Sequence, residues 1–142
     1  MISRQFRTES EEETIALGAE LARQWQAPKL VLLIGNLGAG KTTFAKGVAE
    51  GCGAAGRNDV SSPTFPLIHE YGDPVRVYHI DLYRLDTLAE VATLGLEEIF
   101  ERNAVVLLEW AERFPEILFT PRVEVKIETV AGGAREFTVT EI

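Results

Sequence analysis

Leu30-Val31-Leu32-Leu33-Ile34-Gly35-Asn36-Leu37-Gly38-Ala39-Gly40-Lys41-Thr42-Thr43 is the stretch on which the fold turns. Its first five residues are apolar without alternation, the pattern of a strand covered on both faces at the centre of a parallel or mixed sheet. The next eight fit G-x-x-x-x-G-K-[ST], a phosphate-binding loop, or P-loop. Each part has a physical task. Glycines let the backbone curl until successive N–H groups face an anion, and the helix that opens there adds the positive end of its dipole. Lys41 supplies a full positive charge for the outer phosphates of a nucleotide. Thr42 offers a hydroxyl to the Mg²⁺ that bridges them, since a small hard cation takes oxygen ligands. Thr43 supports the loop. Residues 42–50 contain no proline and Gly51 follows as a stop, so the loop is expected to open a helix.

Outward from this unit, helical and strand patterns alternate. Ser10 and Glu13 form a capping box, and Ile15, Ala19, Ala22 and Trp25 repeat near helical spacing, which predicts a helix over 11–26 ended by Ala27-Pro28-Lys29. Ahead of it, 4–8 reads as a short edge strand or an arm. Residues 51–59, rich in Gly and Ala, read as a mobile loop. Ser61, Ser62, Pro63 and Thr64 make a fixed turn, with its hydroxyls open to a ligand or simply as a turn. Residues 65–71 and 75–83 are expected to be strands of a hairpin turning at Gly72-Asp73-Pro74. In the second strand, period two puts His79 and Asp81 on one face and Tyr78, Ile80 and Leu82 on the other, so one face is core and the other ionisable. Thr87 and Glu90 open a second capped helix that stops near Gly95, and 96–101 adds another turn or two. Residues 104–108 form a second strand buried on both faces, ending in Glu109-Trp110. The alternating segments 123–129 and 135–142 predict an exposed antiparallel hairpin around Ala131-Gly132-Gly133-Ala134. The fold class is α/β: a P-loop NTPase-like mixed sheet flanked by helices, with antiparallel hairpin strands, in one domain over 1–142.

Composition narrows the function classes. The net charge is −8 and the pI about 4.8. So acidic a chain lacks the broad basic surface of direct nucleic-acid binders, and any nucleic acid in its biology is expected to be held by a partner. The one cysteine, Cys52, excludes an internal disulfide and a cysteine-based zinc site and suits a reducing cytosol. Met1-Ile2-Ser3-Arg4-Gln5-Phe6-Arg7 is followed by charge and not by the apolar core of a signal peptide. No apolar run is long enough to span a bilayer, so a cytoplasmic location and no membrane partner are expected.

A P-loop fold that hydrolyses a nucleotide needs a second carboxylate near Mg²⁺ and a group that places the attacking water. Glu109 has the position of a Walker B acid, because ligands in open α/β sheets bind beyond the carboxyl ends of the strands, which puts it beside the loop if the two strands are parallel. The plain alternative is a solvated strand end. Asp81 is the second candidate, or else a turn cap near Arg84. His79 could transfer protons, orient the neighbouring acid or pack, and the latter two fit a histidine two residues before an acid better. His69 is expected to be exposed, and Trp110 to be core or to contact the pocket.

Gly35-Asn36-Leu37-Gly38-Ala39-Gly40-Lys41-Thr42-Thr43, Ser62-Pro63-Thr64-Phe65, His79-Ile80-Asp81-Leu82-Tyr83-Arg84-Leu85 and Leu108-Glu109-Trp110-Ala111, in this order, strongly resemble the TsaE (YjeE) family. These are small bacterial P-loop ATPases needed for the threonylcarbamoyladenosine modification next to the anticodon of certain tRNAs. The resemblance covers nearly the whole chain. It implies that Leu37, Gly38, Ala39, Gly40, Lys41 and Thr42 bind phosphates of ATP, with Thr43 beside them, and that Thr42 and Glu109 hold Mg²⁺. Thr64 would approach the γ-phosphate from a switch segment, Asp81 would match an acid important for ATP handling, and Ser10, Glu11 and Arg135 would touch nucleotide. Lys41, Asp81, Glu109 and Thr64 form the implied catalytic set. The implied partners are the threonylcarbamoyl transferase subunit and its scaffold homologue, with tRNA reached through them and ATP hydrolysis resetting the complex. Asn36 stands where an Asp is common in the family, which leaves the loop chemistry intact.

Three rivals remain on the residues alone. A GTPase would carry Asn-Lys-x-Asp to read guanine, and that pattern is absent after the last central strand. A small-molecule kinase uses the same loop but needs an acceptor pocket and an arginine-bearing lid, for which the chain has little room. A non-hydrolysing, nucleotide-gated binding module would look the same in sequence.

Overall fold

The computed structural model describes residues 1–36, 38–61 and 67–142. Among these residues, seven strands form one mixed sheet: β1 (Ile2–Thr8), β2 (Lys29–Ile34), β3 (Ile68–Tyr71), β4 (Val77–Asp81), β5 (Val105–Glu109), β6 (Val123–Thr129) and β7 (Arg135–Glu141). Their order is β1-β7-β6-β2-β5-β4-β3. The central four, β6, β2, β5 and β4, run parallel, while β7, β1 and β3 are added antiparallel at the two sides. A mixed α/β sheet with hairpin strands is therefore what forms.

Among the described residues, four α-helices cover the sheet: α1 (Glu11–Gln24), α2 (Lys41–Gly51), α3 (Leu88–Ala92) and α4 (Leu96–Phe100). Alternate residues of each central strand feed different cores. Val31, Leu33, Val77, Leu107 and Val125 join Phe44, Val48 and Leu21 of α1 and α2. Leu30, Leu32, Tyr78, Ile80 and Leu108 join Val91, Leu96 and Ile99 of α3 and α4. Double coverage explains why β2 and β5 lack any polar alternation. Phe44 of α2 stacks on Phe137 of β7 at 5.7 Å between ring centroids, tying the helix to the far hairpin.

Several expectations are corrected. The helix expected over 11–26 ends at Gln24, with Trp25 extended, because the residue before Pro28 resists helical angles and the chain must unwind ahead of it. The strand expected over 75–83 is trimmed to β4, whose register with β5 runs from Val77 opposite Val105 to Asp81 opposite Glu109. All five β4 residues are buried, so its ionisable face is covered by structure and not by water. The strand expected over 65–71 is described only as β3. Gly95 does not stop α3, which ends at Ala92; with φ 68° it starts α4 instead. The 123–142 hairpin is not an exposed appendage: β6 lies inside the sheet, paired with β2 on one side and β7 on the other, with Val123, Val125 and Ile127 buried. The loop expected to be mobile is anchored by Arg57, which donates to Glu50 at 2.7 Å and to Glu12 at 2.6 Å.

Candidate active site

Parallel pairing of β2, β5 and β4 brings their carboxyl ends together. Leu33 lies opposite Glu109, and Glu109 opposite Asp81. The Gly35–Thr42 segment leaves β2 at this same edge and turns into α2 through Gly40, whose φ of 109° only glycine adopts readily. A side chain caps the start of α1, where Ser10 accepts from the Glu13 N–H, and of α3, where Thr87 does the same for Glu90. The start of α2 has no such cap. Its first intrahelical bond runs from the Phe44 N–H to the Gly40 carbonyl at 2.9 Å. The N–H groups of Lys41, Thr42 and Thr43 are thus the ones that a helix start leaves over.

A cleft of about 550 Å³ opens over this edge. Gly38, Gly40, Lys41, Thr42 and Thr43 line it together with Asp81, Glu109, Ser10, Glu11 and Arg135. Ala39 is buried. Leu37 and Thr64, the remaining sequence candidates, lie outside the described residues, as do Ser62, Pro63 and Phe65.

The charges here are withdrawn from water: Lys41, Asp81 and Glu109 are 6%, 4% and 3% exposed. Lys41 Nζ donates to the Gly35 carbonyl at 2.8 Å, sits 3.6 Å from Glu109 Oε1 and lies 4.1 Å from the centre of the Trp110 ring. Glu109 Oε2 is hydrogen-bonded to His79 Nε2, so the two carboxylate oxygens face different partners. Asp81 Oδ1 accepts the Tyr83 N–H at 2.8 Å. Burial pushes the Asp81 carboxyl above its ordinary value; the Tyr83 N–H opposes this, and the neighbouring Glu109 charge adds to it. Buried ionisable groups gathered in a cleft are costly to maintain and mark functional sites more often than structural ones.

Arg135 lines the cleft and also holds the backbone beside it. Its guanidinium donates to the carbonyls of Ala39 at 2.8 Å and Gly133 at 2.7 Å, bracing the glycine loop from the start of β7. Sequence reasoning did not single out Thr14, Tyr83, Arg84 or Gly133 as cleft walls. Tyr83 and Arg84 follow Asp81 directly, which was the available signal. Trp110, weighed as core or pocket, lies in the cleft at a left-handed φ of 64°, with its ring 5.0 Å from that of Tyr83. His69, expected exposed, is half-buried with Nδ1 3.1 Å from the Tyr71 hydroxyl. His79, weighed as orienting the neighbouring acid, is hydrogen-bonded to Glu109 on the next strand.

Fold and cleft define a class: α/β proteins built around a strand, glycine loop and helix, with two carboxylates at neighbouring strand ends. Within it, a family model described as threonylcarbamoyl adenosine biosynthesis protein TsaE matches residues 8–137. The tRNA threonylcarbamoyladenosine biosynthesis protein TsaE of Bacillus subtilis is 43% identical, covering 96% of this chain and 85% of its own. The protein of the same name from Treponema pallidum is 35% identical over 92% of this chain and 95% of its own. The crystal structure of Bacillus subtilis YdiB superposes with a TM-score of 0.81 at 37% identity, covering 99% of this chain and 86% of that one. The chain belongs to the TsaE family.

Proposed function

We propose that this chain, acting as one domain, is the ATP-binding and ATP-hydrolysing subunit of the machinery that installs threonylcarbamoyl on adenosine beside the tRNA anticodon. On this reading it works in the cytosol with the threonylcarbamoyl transferase subunit and its scaffold homologue, and turnover resets that complex. The observation that carries the reading is that Lys41, Asp81 and Glu109 line one cleft with a helix start that no side chain caps. Loop amides and helix dipole favour an anion there, and Lys41, held back on Gly35 and Glu109, is poised to move onto its outer phosphates.

The donor set also suits Mg²⁺, being hydroxyl and carboxylate oxygens. Among the described residues no group of three or more His, Cys, Asp or Glu forms a self-sufficient metal site. A Mg²⁺ held by the Thr42 hydroxyl and Glu109 Oε1 would take its other ligands from phosphate and water, as this ion commonly does. When bound, it would neutralise charge developing between the phosphates. Asp81, beside Glu109 and held by the Tyr83 N–H, would orient water around such an ion.

Purified protein with Mg²⁺ and ATP is expected to release phosphate slowly, and faster with the transferase subunits present. Multi-turnover modification of tRNA should stall without this chain. Background phosphate release even in the assembled complex would leave a nucleotide-gated binding module. Transfer of the phosphoryl group to a metabolite in place of water would identify a kinase.

A further inference from the structure

Among the described residues, one buried side-chain nitrogen lacks any hydrogen-bond partner: Nδ1 of His79. His79 is fully buried, on the sheet face that also carries Val77, Leu107 and Leu33. A residue needed only for packing there would be served better by an aliphatic side chain, since an unpaired buried polar atom costs stability. Among the described residues, the imidazole's one hydrogen bond is from Nε2 to Glu109 Oε2. The unpaired nitrogen is the cost of keeping that contact.

The geometry points to His79 as the positioning residue for Glu109, an inference that rests on the metal-holding role proposed above. A carboxylate only accepts, so Nε2 carries the hydrogen and donates. Occupying Oε2 fixes the carboxylate plane and leaves Oε1, the oxygen turned toward Lys41, as the one atom offered to a cation or its water. Without His79 the carboxylate is free to rotate, and Glu109 then presents no defined ligand to a cation. His79 thus acts on the site through Glu109 and does not reach substrate.

Mn²⁺ affinity, measured by electron paramagnetic resonance with a non-hydrolysable ATP analogue, tests this beside nucleotide affinity in EDTA. His79→Leu is expected to weaken Mn²⁺ binding roughly 10- to 100-fold, the usual cost of losing a group that orients a ligand, while metal-free nucleotide affinity is kept. His79→Gln, whose amide nitrogen reaches the place of Nε2, should restore most of the loss, whereas the shorter His79→Asn should not. If the leucine variant does not fold, the Gln and Asn pair carries the comparison. Wild-type Mn²⁺ affinity in His79→Leu or His79→Asn would overturn the inference. So would a parallel fall of metal-bound and metal-free affinities, which marks general structural damage. Glu109→Gln separates the two levels. If it leaves Mn²⁺ affinity unchanged, the metal-holding role and the inference fall together; if it weakens binding while His79→Leu does not, only the inference falls.

Discussion

Lys41 is held by a carbonyl, a carboxylate and an aromatic face at once, all within 4.1 Å of its nitrogen. Such a charge is already stripped of water, so its transfer to a phosphate exchanges one desolvated partner for another. Lys41→Ala is expected to lower ATP turnover by about 10²- to 10³-fold, the scale of losing one preorganised charge donor. Unchanged turnover and affinity would remove the nucleotide assignment. Asp81 makes the opposite kind of statement. Burial holds its carboxyl above the ordinary value, so the native state binds more protons than the unfolded chain across that window. Stability therefore falls as pH rises from about 3.9 toward the raised value, and the deficit persists above it. Asp81→Asn should raise the melting temperature at pH 7 while reducing phosphate release, with the thermal gain vanishing below about pH 3.9. A lower melting temperature at pH 7 would show that the ion is net stabilising. The motif made Lys41 legible in sequence, and the strand ends did the same for Asp81 and Glu109. The His79–Glu109 bond was not legible, because it joins residues 30 apart on strands whose adjacency no local pattern records.

Between elements, α1 packs tightly on α2, and glycines make it possible. A Cβ on Gly47 would stand 2.1 Å from the Ile15 carbonyl oxygen, and one on Gly18 would stand 2.5 Å from the Phe44 oxygen. Neither obstacle is a flexible side-chain end, so the helices would have to separate. Gly47→Ala gains helix propensity but should lose about 1–3 kcal/mol to overpacking, read as a lower midpoint in urea unfolding. An unchanged midpoint would mean that the crossing is looser than these distances imply. Since α2 begins at Lys41, separation there also tilts the loop. Helical spacing identified α1, and the proline-free run up to Gly51 identified α2, but no local pattern marked Gly18 and Gly47 as the points where the two helices meet. The C-terminal hairpin was legible as a hairpin but misjudged in place: alternation showed one covered face of β6, whereas its parallel pairing with β2 depends on the route of the chain after β5. That placement carries Arg135 to the glycine loop, 96 residues from the Ala39 carbonyl it braces.

Across the whole molecule, charge decides what the chain touches directly. The net charge is −8, and several of its 14 basic residues are spent internally. Arg57 is committed to Glu50 and Glu12, Arg122 to Glu124, Arg113 to the carbonyls of Leu82, Tyr83 and Leu85, and Arg135 to those of Ala39 and Gly133. Phosphate backbones are held by released counterions and free cations, and a surface with few unpaired cations gains little from either. The isolated chain is therefore expected not to retain tRNA in a mobility-shift assay at micromolar protein and about 0.15 M salt, where basic binders show non-specific dissociation constants of roughly 10⁻⁴–10⁻⁶ M. Adding the transferase subunits should bring tRNA and this chain into one band, through contacts the partners supply. Retention of tRNA by the chain alone, lost on raising salt, would place a nucleic-acid surface on this protein.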